Sequence, residues 1–280
     1  MIFTLLNYNP TVPLSHARIG YDNRVTTATA DSTLNGFPAS SVANPLTYEF
    51  WRPVGTSGVL TALFDAGPVD YVGIAAHNMA GGSVHVEVLS NPEPQTGLYV
   101  EDGYWVDGYA ANSGFFFPPQ LPIVFPVDNS PIMLLFRERQ AFGVRLTVSG
   151  TAPSIGVLYA GKALAMQRKV WGGINPINFT RRTTIRPNVS EGGQWLGRSI
   201  IREGSETSVT WRNLSYDWYK SDFDPFVEAA RTRPFFFGMK PDKYPEISGY
   251  VWTAEDIAPT ISGTRNYLDV TVPMSGLSIE

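Results

Sequence analysis

The stretch GSVHVEVLSN, residues 82–91, decides the fold class because its side chains alternate strictly between apolar and polar. Its three valines share one face, while His85 and Glu87 occupy the other. Apolar residues at every second position predict a β-strand that is buried on one face only. The stretch FGVRLTVSG, residues 142–150, repeats this alternation and places Arg145 on the outer face. The two stretches together predict a sheet that covers a core.

Further short runs rich in Val, Ile, Thr and aromatic residues lie between clusters of Gly, Pro, Asn and Ser. SGVLTALFDAG (57–67) and VDYVGIAAHN (69–78) predict two more strands, and SIGVLYAGKAL (154–164) predicts a closing strand. Helical periodicity is nearly absent. The chain is therefore predicted to be mostly β.

Composition and charge exclude several classes of partner and site. Charged residues make up only 16% of the 280 residues, against about a quarter in ordinary domains. A surface covered in an assembly or an ordinary all-β protein would both explain this. The net charge of −4 gives no indication of nucleic-acid binding. The absence of cysteine excludes disulfides, a thiolate zinc site and a cysteine nucleophile. The first ten residues do not resemble a signal peptide, and no apolar run approaches the length of a membrane span.

The amino-acid composition of the sequence changes near residue 165. Residues 1–165 contain 7 Lys/Arg and 12 Asp/Glu, whereas residues 166–280 contain 14 and 13. We therefore predict a jelly-roll-type β-sandwich over residues 1–165 and a β-rich domain over residues 166–280. The charge difference also favours head-to-tail packing of unlike faces.

The second domain is predicted to contain one short helix near residues 223–231. Ser221 or Asp222 would cap it, and Pro225 would stand in its first turn. Its buried face is predicted to consist of Phe223, Phe226, Val227 and Ala230. The predicted strands of this domain cover residues 205–216, 234–239, 248–256 and 265–277.

No motif predicts an active site, a cofactor or a metal. The three histidines have no metal-ligand spacing, and there is no nucleophile elbow, zinc-protease motif or phosphate loop. Glu101, Asp102 and Asp107 would form a cation site, a pair of catalytic acids or a solvated acidic patch. Ser190–Gly193 is a predicted turn. The sequence thus favours a non-enzyme, with a hydrolase left as a minor alternative because glycosidase carboxylates have no spacing signature.

Two triple-phenylalanine runs occur beside prolines, in SGFFFPPQLP (113–122) and RPFFFGMKPDKYP (233–245). Strand alternation sends Phe116 and Phe236 to the face opposite their neighbours. Six rings exceed what one small core holds. They would lie either in an interaction surface or in the core and under loops.

The first half of the chain resembles the discoidin-type β-sandwich of the galactose-binding-like class. The resemblance rests on GFPASSVANPLTYEFWRP, GVLTALFDAGPVDYVGIAAHN, VHVEVLSN and FGVRLTVSGTAPSIGVLYAGKAL in that order, and it covers about residues 20–165. It implies that Trp51 is a core residue and that Asp65 and Gly67 end a strand. The loops that hold sugar in that family do not match.

The second half resembles the distal-tail and minor-tail proteins of long-tailed bacteriophages. DFDPFVEAARTRPFFFGMKPDKYPEISGYVWTAEDI followed by RNYLDVTVPMSG has their helix, Phe-rich strand and closing strand, over about residues 205–277. The resemblance implies a structural protein of a phage tail tip or baseplate, assembled in the host cytoplasm. Its expected partners are copies of itself in a ring, the tail tube, the hub and fibres, with a host glycan as a further candidate.

Two sets of residues are candidates for contact with partners. The set predicted for ring assembly consists of Arg181, Arg182, Arg186, Trp211, Phe235, Phe236, Phe237, Tyr244 and Trp252, because aromatic residues and Arg dominate interface energetics. The alternative function is that of a carbohydrate-binding module that uses the loop 97–109. Its candidate glycan contacts are Tyr99, Glu101, Tyr104, Trp105 and Tyr109. The other interpretation of that loop is that it packs on its own sandwich or on a neighbour.

Overall fold

A computed structural model of the chain shows a mostly β protein with one short helical segment, as the sequence predicts. It describes residues 1–4, 10–90, 104–106, 124–253, 255–262 and 266–277. Within these residues no helix has the length and apolar character needed to cross a membrane.

Fifteen strands form two sheets in this part of the chain. In chain order they are β1 Ile2–Thr4, β2 Arg18–Gly20, β3 Thr27–Ala30, β4 Ser57–His77, β5 Ser83–Ser90, β6 Tyr104–Val106, β7 Ile132–Ser149, β8 Ile155–Gly161, β9 Leu164–Ala165, β10 Arg182–Val189, β11 Trp195–Ser215, β12 Phe235–Lys240, β13 Tyr244–Trp252, β14 Pro259–Ser262 and β15 Tyr267–Gly276. A 3-10 turn covers Ala39–Ala43.

The first sheet folds over itself into a sandwich because β4 and β7 are long and change direction. Its order is β3-β4-β7-β5-β6, with β1 beside β7 and β8 beside β4. The first part of β4 pairs with β3 and the last part of β7, whereas its end pairs with β8 and the start of β7. Apolar side chains from both parts, such as Leu60 and Ile74, meet in one buried cluster.

The two strands predicted at 57–67 and 69–78 are one strand, β4. The ladder with β7 breaks its register between Leu63 and Gly67, close to Pro68. A bulge tolerates proline because it does not require every backbone N–H in the ladder. The turn signals Gly and Pro therefore mark the bend of a continuous strand rather than a loop.

The alternation that decided the fold class is confirmed in β5 and β7. Val84, Val86 and Val88 are buried in the sandwich core. On the other face Glu87 lies opposite Arg145. Their side chains form a two-bond ion pair, in which Nη2 of the arginine donates to Oε1 of the carboxylate over 2.7 Å. Cross-strand pairing of opposite charges stabilises this register, which the buried valines on the other face specify.

Trp51 is a core residue of the sandwich, as the discoidin resemblance implies. It is fully buried, it forms a β-bridge with Ile155, and its indole N–H donates to the Ser32 carbonyl over 3.1 Å. Phe50 stacks on Phe37 with 4.8 Å between ring centroids.

The second sheet has the order β10-β11-β15-β13-β12-β2-β9, with β14 beside β15. Most of it comes from residues after 165. However, β2 comes from the start of the chain and pairs with β12, with Gly20 opposite Phe236. The first twenty residues therefore contribute to both halves of the molecule.

The helical segment begins earlier than the sequence predicts. A helical turn at Tyr216–Trp218 leads into a π-helical turn at Tyr219–Phe223 and then into the helix Asp224–Ala230. Ser221 and Asp222 thus lie inside the segment and not at its cap. The reason is packing, because Tyr219 is buried against the second core and extends the helical conformation backwards. The predicted buried face is confirmed, since all four of its residues are buried.

The middle phenylalanine of the second triple holds the two sheets together. Phe235 and Phe237 enter the core of the second sheet, while Phe236 points to the opposite side, into a cluster shared with the sandwich. Its ring covers Gly73 of β4, where a Cβ would lie 2.6 Å from the ring. In the reverse direction, the ring of Tyr71 leaves no room for a Cβ on Gly20 of β2. Each sheet therefore offers a glycine to an aromatic ring of the other.

Candidate assembly surface

A two-stranded ribbon extends from the second sheet, and we call residues 181–204 the arm. It consists of β10 and the first half of β11. The other half of β11 pairs with β15 inside the sheet. The arm is thus a direct continuation of a core strand. Eight residues per strand correspond to a length of about 27 Å.

The turn of the arm is the predicted turn at Ser190–Gly193. The Ser190 N–H donates to the Gln194 carbonyl over 2.9 Å, and the Gln194 N–H donates to the Ser190 hydroxyl over 3.0 Å. Gly193 has a φ of +78°, which favours glycine. The tip is therefore closed by its own hydrogen bonds.

One face of the arm is apolar. Ile185 lies opposite Ile200, and Val189 lies opposite Trp195. Residues that lie opposite each other in an antiparallel pair point to the same face, so Pro187 and its partner Arg198 share it by alternation. The Trp195 side chain is 71% exposed and Val189 is 55% exposed. We call the five uncharged residues, Ile185, Pro187, Val189, Trp195 and Ile200, the apolar face of the arm, and Arg198 places one cation among them.

The other face of the arm is polar. Arg186 lies opposite Ser199, and Asn188 lies opposite Gly197. The Asn188 amide donates to the Ser199 hydroxyl over 3.3 Å. The arm therefore has the amphipathic pattern of a strand pair that covers a core, yet its apolar face is open to solvent. Exposed apolar patches of this kind mark interaction sites.

The three arginines predicted for assembly lie in the arm. Arg182 pairs with Glu206 at the base, with 2.6 Å from Nη1 to each carboxylate oxygen. Arg181 and Arg186 are exposed and form no ion pair with any residue that the structure describes. They are accessible to an acidic partner.

The aromatic residues predicted for the same interface are mostly core residues. Trp211, Phe235, Phe236 and Phe237 are at most 1% exposed, which leaves them no surface for a partner. Alternation in β12 explains the burial of the three phenylalanines, because each side of that strand faces one of two cores within the chain. Trp211 lies on β11 and is buried in the core of the second sheet. Tyr244 and Trp252 are half-buried. The exposed anchors are instead the apolar side chains of the arm.

The residues predicted to contact glycan lie mostly outside the described part of the chain. This holds for Tyr99, Glu101 and Tyr109. Tyr104 and Trp105 belong to β6, where they lie opposite Ser90 and Leu89 of β5. Their role stays a prediction. Among the described residues, no group of three or more His, Cys, Asp or Glu side chains is placed to hold a metal ion.

The apolar face of the arm was missed from the sequence, although a signal was present. TTIRPNV (183–189) and WLGRSII (195–201) flank a turn, which is the pattern of a hairpin. The register shows why the alternation was hard to see. Leu196 and Ile201 have no partner residue on β10, so each is an extra residue in β11. Each of these bulges interrupts the alternation of apolar and polar positions along the strand.

The sequence matches no protein-family model and no curated protein. Solved structures with a similar fold include chitosan-binding module 1 from a chitosanase/glucanase of Paenibacillus sp. IK-5, with 16% identity and a TM-score of 0.37 over 51% of this chain and 98% of that one. A pectin-binding carbohydrate-binding module has 9% identity and a TM-score of 0.36 over 50% of this chain and 93% of its own. The family 32 module from C. perfringens NanJ, in complex with galactose, has 15% identity and a TM-score of 0.36 over 53% and 96%. The likeness extends over about half of this chain, and at these TM-scores it carries no argument about a ligand.

Proposed function

We propose that the protein is a non-catalytic structural component that assembles with copies of itself through the arm. The observation that carries this proposal is the exposed apolar face of the two-stranded arm. Exposed side chains such as Trp195 and Ile200 do not stabilise a monomer. Their burial under a partner would stabilise the complex by about 25 cal/mol of free energy for each Å² of apolar area removed from water. The arm is the surface that a neighbouring copy would cover.

Charge favours the sandwich of a second copy as the partner of the arm. Residues 181–204 contain five arginines and two glutamates, whereas residues 1–165 carry five more acidic than basic side chains. Complementary charge brings unlike surfaces together and disfavours contact between two arms. A contact between unlike surfaces is head-to-tail, and such contacts close into rings when the rotation between copies permits.

The more specific proposal is a component of a phage tail tip or baseplate. It is supported by the sequence resemblance of residues 205–277 to distal-tail and minor-tail proteins. The helical segment, β12, β13 and β15 all lie within that stretch. In this proposal the ring surrounds the tail tube or hub, and the sandwich docks fibres. Assembly would take place in the host cytoplasm.

We predict that replacing Trp195 and Ile200 together with serine abolishes self-association. The change removes two large side chains from the apolar face and touches no core residue. Light scattering behind a sizing column at several concentrations measures the mass. The wild-type protein is expected to form a defined ring or a concentration-dependent oligomer, and the double variant a monomer.

The matched control for this experiment is Asn188→Ser, on the polar face of the same ribbon. It is expected to keep the wild-type mass. Circular dichroism should be unchanged in both variants because the arm lies outside the cores. A wild-type protein that stays monomeric at high concentration, or a double variant with wild-type mass, would contradict assembly through the arm.

A second candidate function is carbohydrate binding by the aromatic loop 97–109. The observation that favours it is the position of β6, which attaches Tyr104 and Trp105 to the edge of the sandwich through β5. The proteins of similar fold bind chitosan, pectin or galactose according to their descriptions.

For this second function we predict that Trp105→Ala reduces binding on a glycan array at least tenfold. Loss of a ring that stacks on a sugar removes its apolar contact. The arm variant is expected to keep the binding, which separates the two functions. Absence of binding to every glycan on the array by the wild-type protein would rule out this candidate.

A further inference from the structure

A cleft of about 1020 Å³ lies where the sandwich, β2, β9 and the helical segment meet. It has no role in the assembly proposed above, and no described residue of the arm lines it. The volume is at the upper end of the range for small-molecule sites, about 300–1000 Å³.

The base of the cleft contains a carboxylate and a guanidinium that the backbone holds in place. Asp70 of β4 accepts the Ala163 N–H over 2.7 Å. Arg18 of β2 is only 2% exposed, and its guanidinium donates to the Val12 carbonyl and, over 3.1 Å, to the His16 carbonyl. Both groups are therefore fixed before any ligand arrives.

Charged side chains of both signs line the walls. Arg24 pairs with Asp22 at 3.3 Å, and Lys162 pairs with Glu138 at 2.9 Å. The described residues of the lining include four cationic and four anionic side chains. Its formal charge is close to zero.

Two further groups on the walls form no ion pair with a described residue. Arg137 belongs to β7, and Asp222 belongs to the helical segment, where it accepts the Ser221 hydroxyl. Neither forms a salt bridge with any residue in the described part of the chain. They supply one donor group and one acceptor group, on different elements of the wall.

Aromatic rings complete the lining. Tyr21 and Trp218 are half-buried, and core rings fix their positions. Tyr21 contacts Phe226 with 5.6 Å between centroids, and Trp218 contacts Phe223 at 6.0 Å. Each offers a partly exposed, rigid apolar surface.

We propose that the cleft binds a neutral, polyhydroxylated ligand, a saccharide of a few units. An apolar ligand would strip water from eight charged groups without replacing their hydrogen bonds. A charged ligand would be repelled by as many side chains as attract it, because the described lining has equal numbers of cationic and anionic residues. Hydroxyl groups donate to carboxylates and accept from guanidinium and ammonium groups at once, and the C–H faces of a sugar ring pack on aromatic rings.

The state of Asp70 makes this binding dependent on pH. The pKa of the Asp70 carboxyl is raised to about 6, mainly because burial disfavours the charged form, and the nearby Glu138 carboxylate contributes to this rise. The Ala163 N–H, Lys162 and Arg18 act in the opposite direction. Above pH 6 the ionised carboxylate accepts hydroxyl hydrogen bonds, so binding is expected to weaken as the pH falls from 7 to 5.

The test uses the full chain and four probes, namely cellobiose, lactose, N,N′-diacetylchitobiose and the acidic disaccharide of galacturonic acid. Calorimetric titration up to about 20 mM measures their binding. At least one neutral disaccharide is expected to bind. Asp222→Asn and Arg137→Gln, two exposed positions that leave the cores intact, are each expected to weaken it at least tenfold. Asp70→Asn, which retains an acceptor for Ala163, is expected to do the same and to remove the pH dependence.

Trp105→Ala and the double serine variant of the arm are the controls, and both should bind the disaccharide as the wild type does. This keeps the result independent of assembly and of the aromatic loop. Three outcomes would overturn the proposal. They are absence of binding by all neutral probes, tighter binding of the acidic disaccharide, and binding that is lost in Trp105→Ala but kept in the cleft variants.

Discussion

Replacing Phe236 with alanine is expected to lower the free energy of unfolding by about 3–5 kcal/mol, the range for removal of a buried aromatic side chain. The ring is fully buried between the sheets. It contacts the rings of Tyr159 and Tyr250, with centroids 5.5 and 5.0 Å away, and it covers Gly73. Its loss opens a cavity between two β structures that cannot collapse onto each other. Urea denaturation followed by circular dichroism measures the change.

Phe179→Ala is the matched control, because this ring is 73% exposed beside the same domain. Its effect should stay within about 0.5 kcal/mol. A second readout comes from the shape of the transition. The wild type is expected to unfold in one step, whereas separation into two steps in Phe236→Ala would show that this contact couples the sheets. A loss below about 1 kcal/mol in a single unchanged step would contradict the role of Phe236.

Acid is expected to destabilise the wild-type protein by about 3 kcal/mol through one group, His77. Burial lowers the pKa of the His77 imidazole from 6.5 to about 4. The hydrogen bonds require the neutral form, since Nε2–H donates to the Ser130 carbonyl over 2.8 Å while Nδ1 accepts the Met79 N–H over 3.3 Å. Between pH 6.5 and 4 the unfolded chain takes up a proton that the folded chain does not. Stability from this group is therefore complete above pH 6.5 and is lost as the pH falls to about 4.

His77→Gln removes the titrating group, and Gln supplies a donor for Ser130. Its deficit relative to the wild type should be largest at pH 7 and should shrink by about 3 kcal/mol by pH 4. Urea denaturation at a series of pH values measures both curves. His85→Gln, a half-buried position on β5, should retain the steep acid decline of the wild type. Parallel curves for His77→Gln and the wild type would refute the assignment.

The short strands β1 and β3 and the start of β7, from Ile132 to Ala141, were not predicted. Local alternation was enough to predict β5 and the rest of β7, because a strand with one buried face leaves a period of two in the sequence. It also placed Glu87 and Arg145 on outer faces, where they pair. It did not predict that 57–67 and 69–78 form one strand. Whether Gly and Pro end a strand or bend it depends on the neighbouring strand, which local sequence does not specify.

The candidate assembly surface was predicted only in part. The arginine-rich composition pointed to Arg181, Arg182 and Arg186, which lie in the arm. The triple phenylalanine at 235–237 looked equally suited to an interface, because a sequence pattern shows that a ring needs cover but not which surface covers it. Here two cores inside the chain cover all three rings. The apolar face of the arm is the reverse case, since its side chains are exposed and no residue that the structure describes covers them.

The pairing of β2 with β12 has a consequence for the synthesis of the protein. Gly20 emerges from the ribosome long before Phe236, its partner in the second sheet. At about 5–20 residues per second, the intervening chain takes roughly 10–40 s to translate. The last part of this chain, from the end of β8 at Gly161 to Phe236, takes roughly 4–15 s at these rates. During this last part β1 and β3 to β8 have all been made, but the outer aromatic residue Tyr71 of the sandwich has no covering sheet. The nascent chain therefore presents an apolar patch that a chaperone is positioned to bind until the final strands arrive.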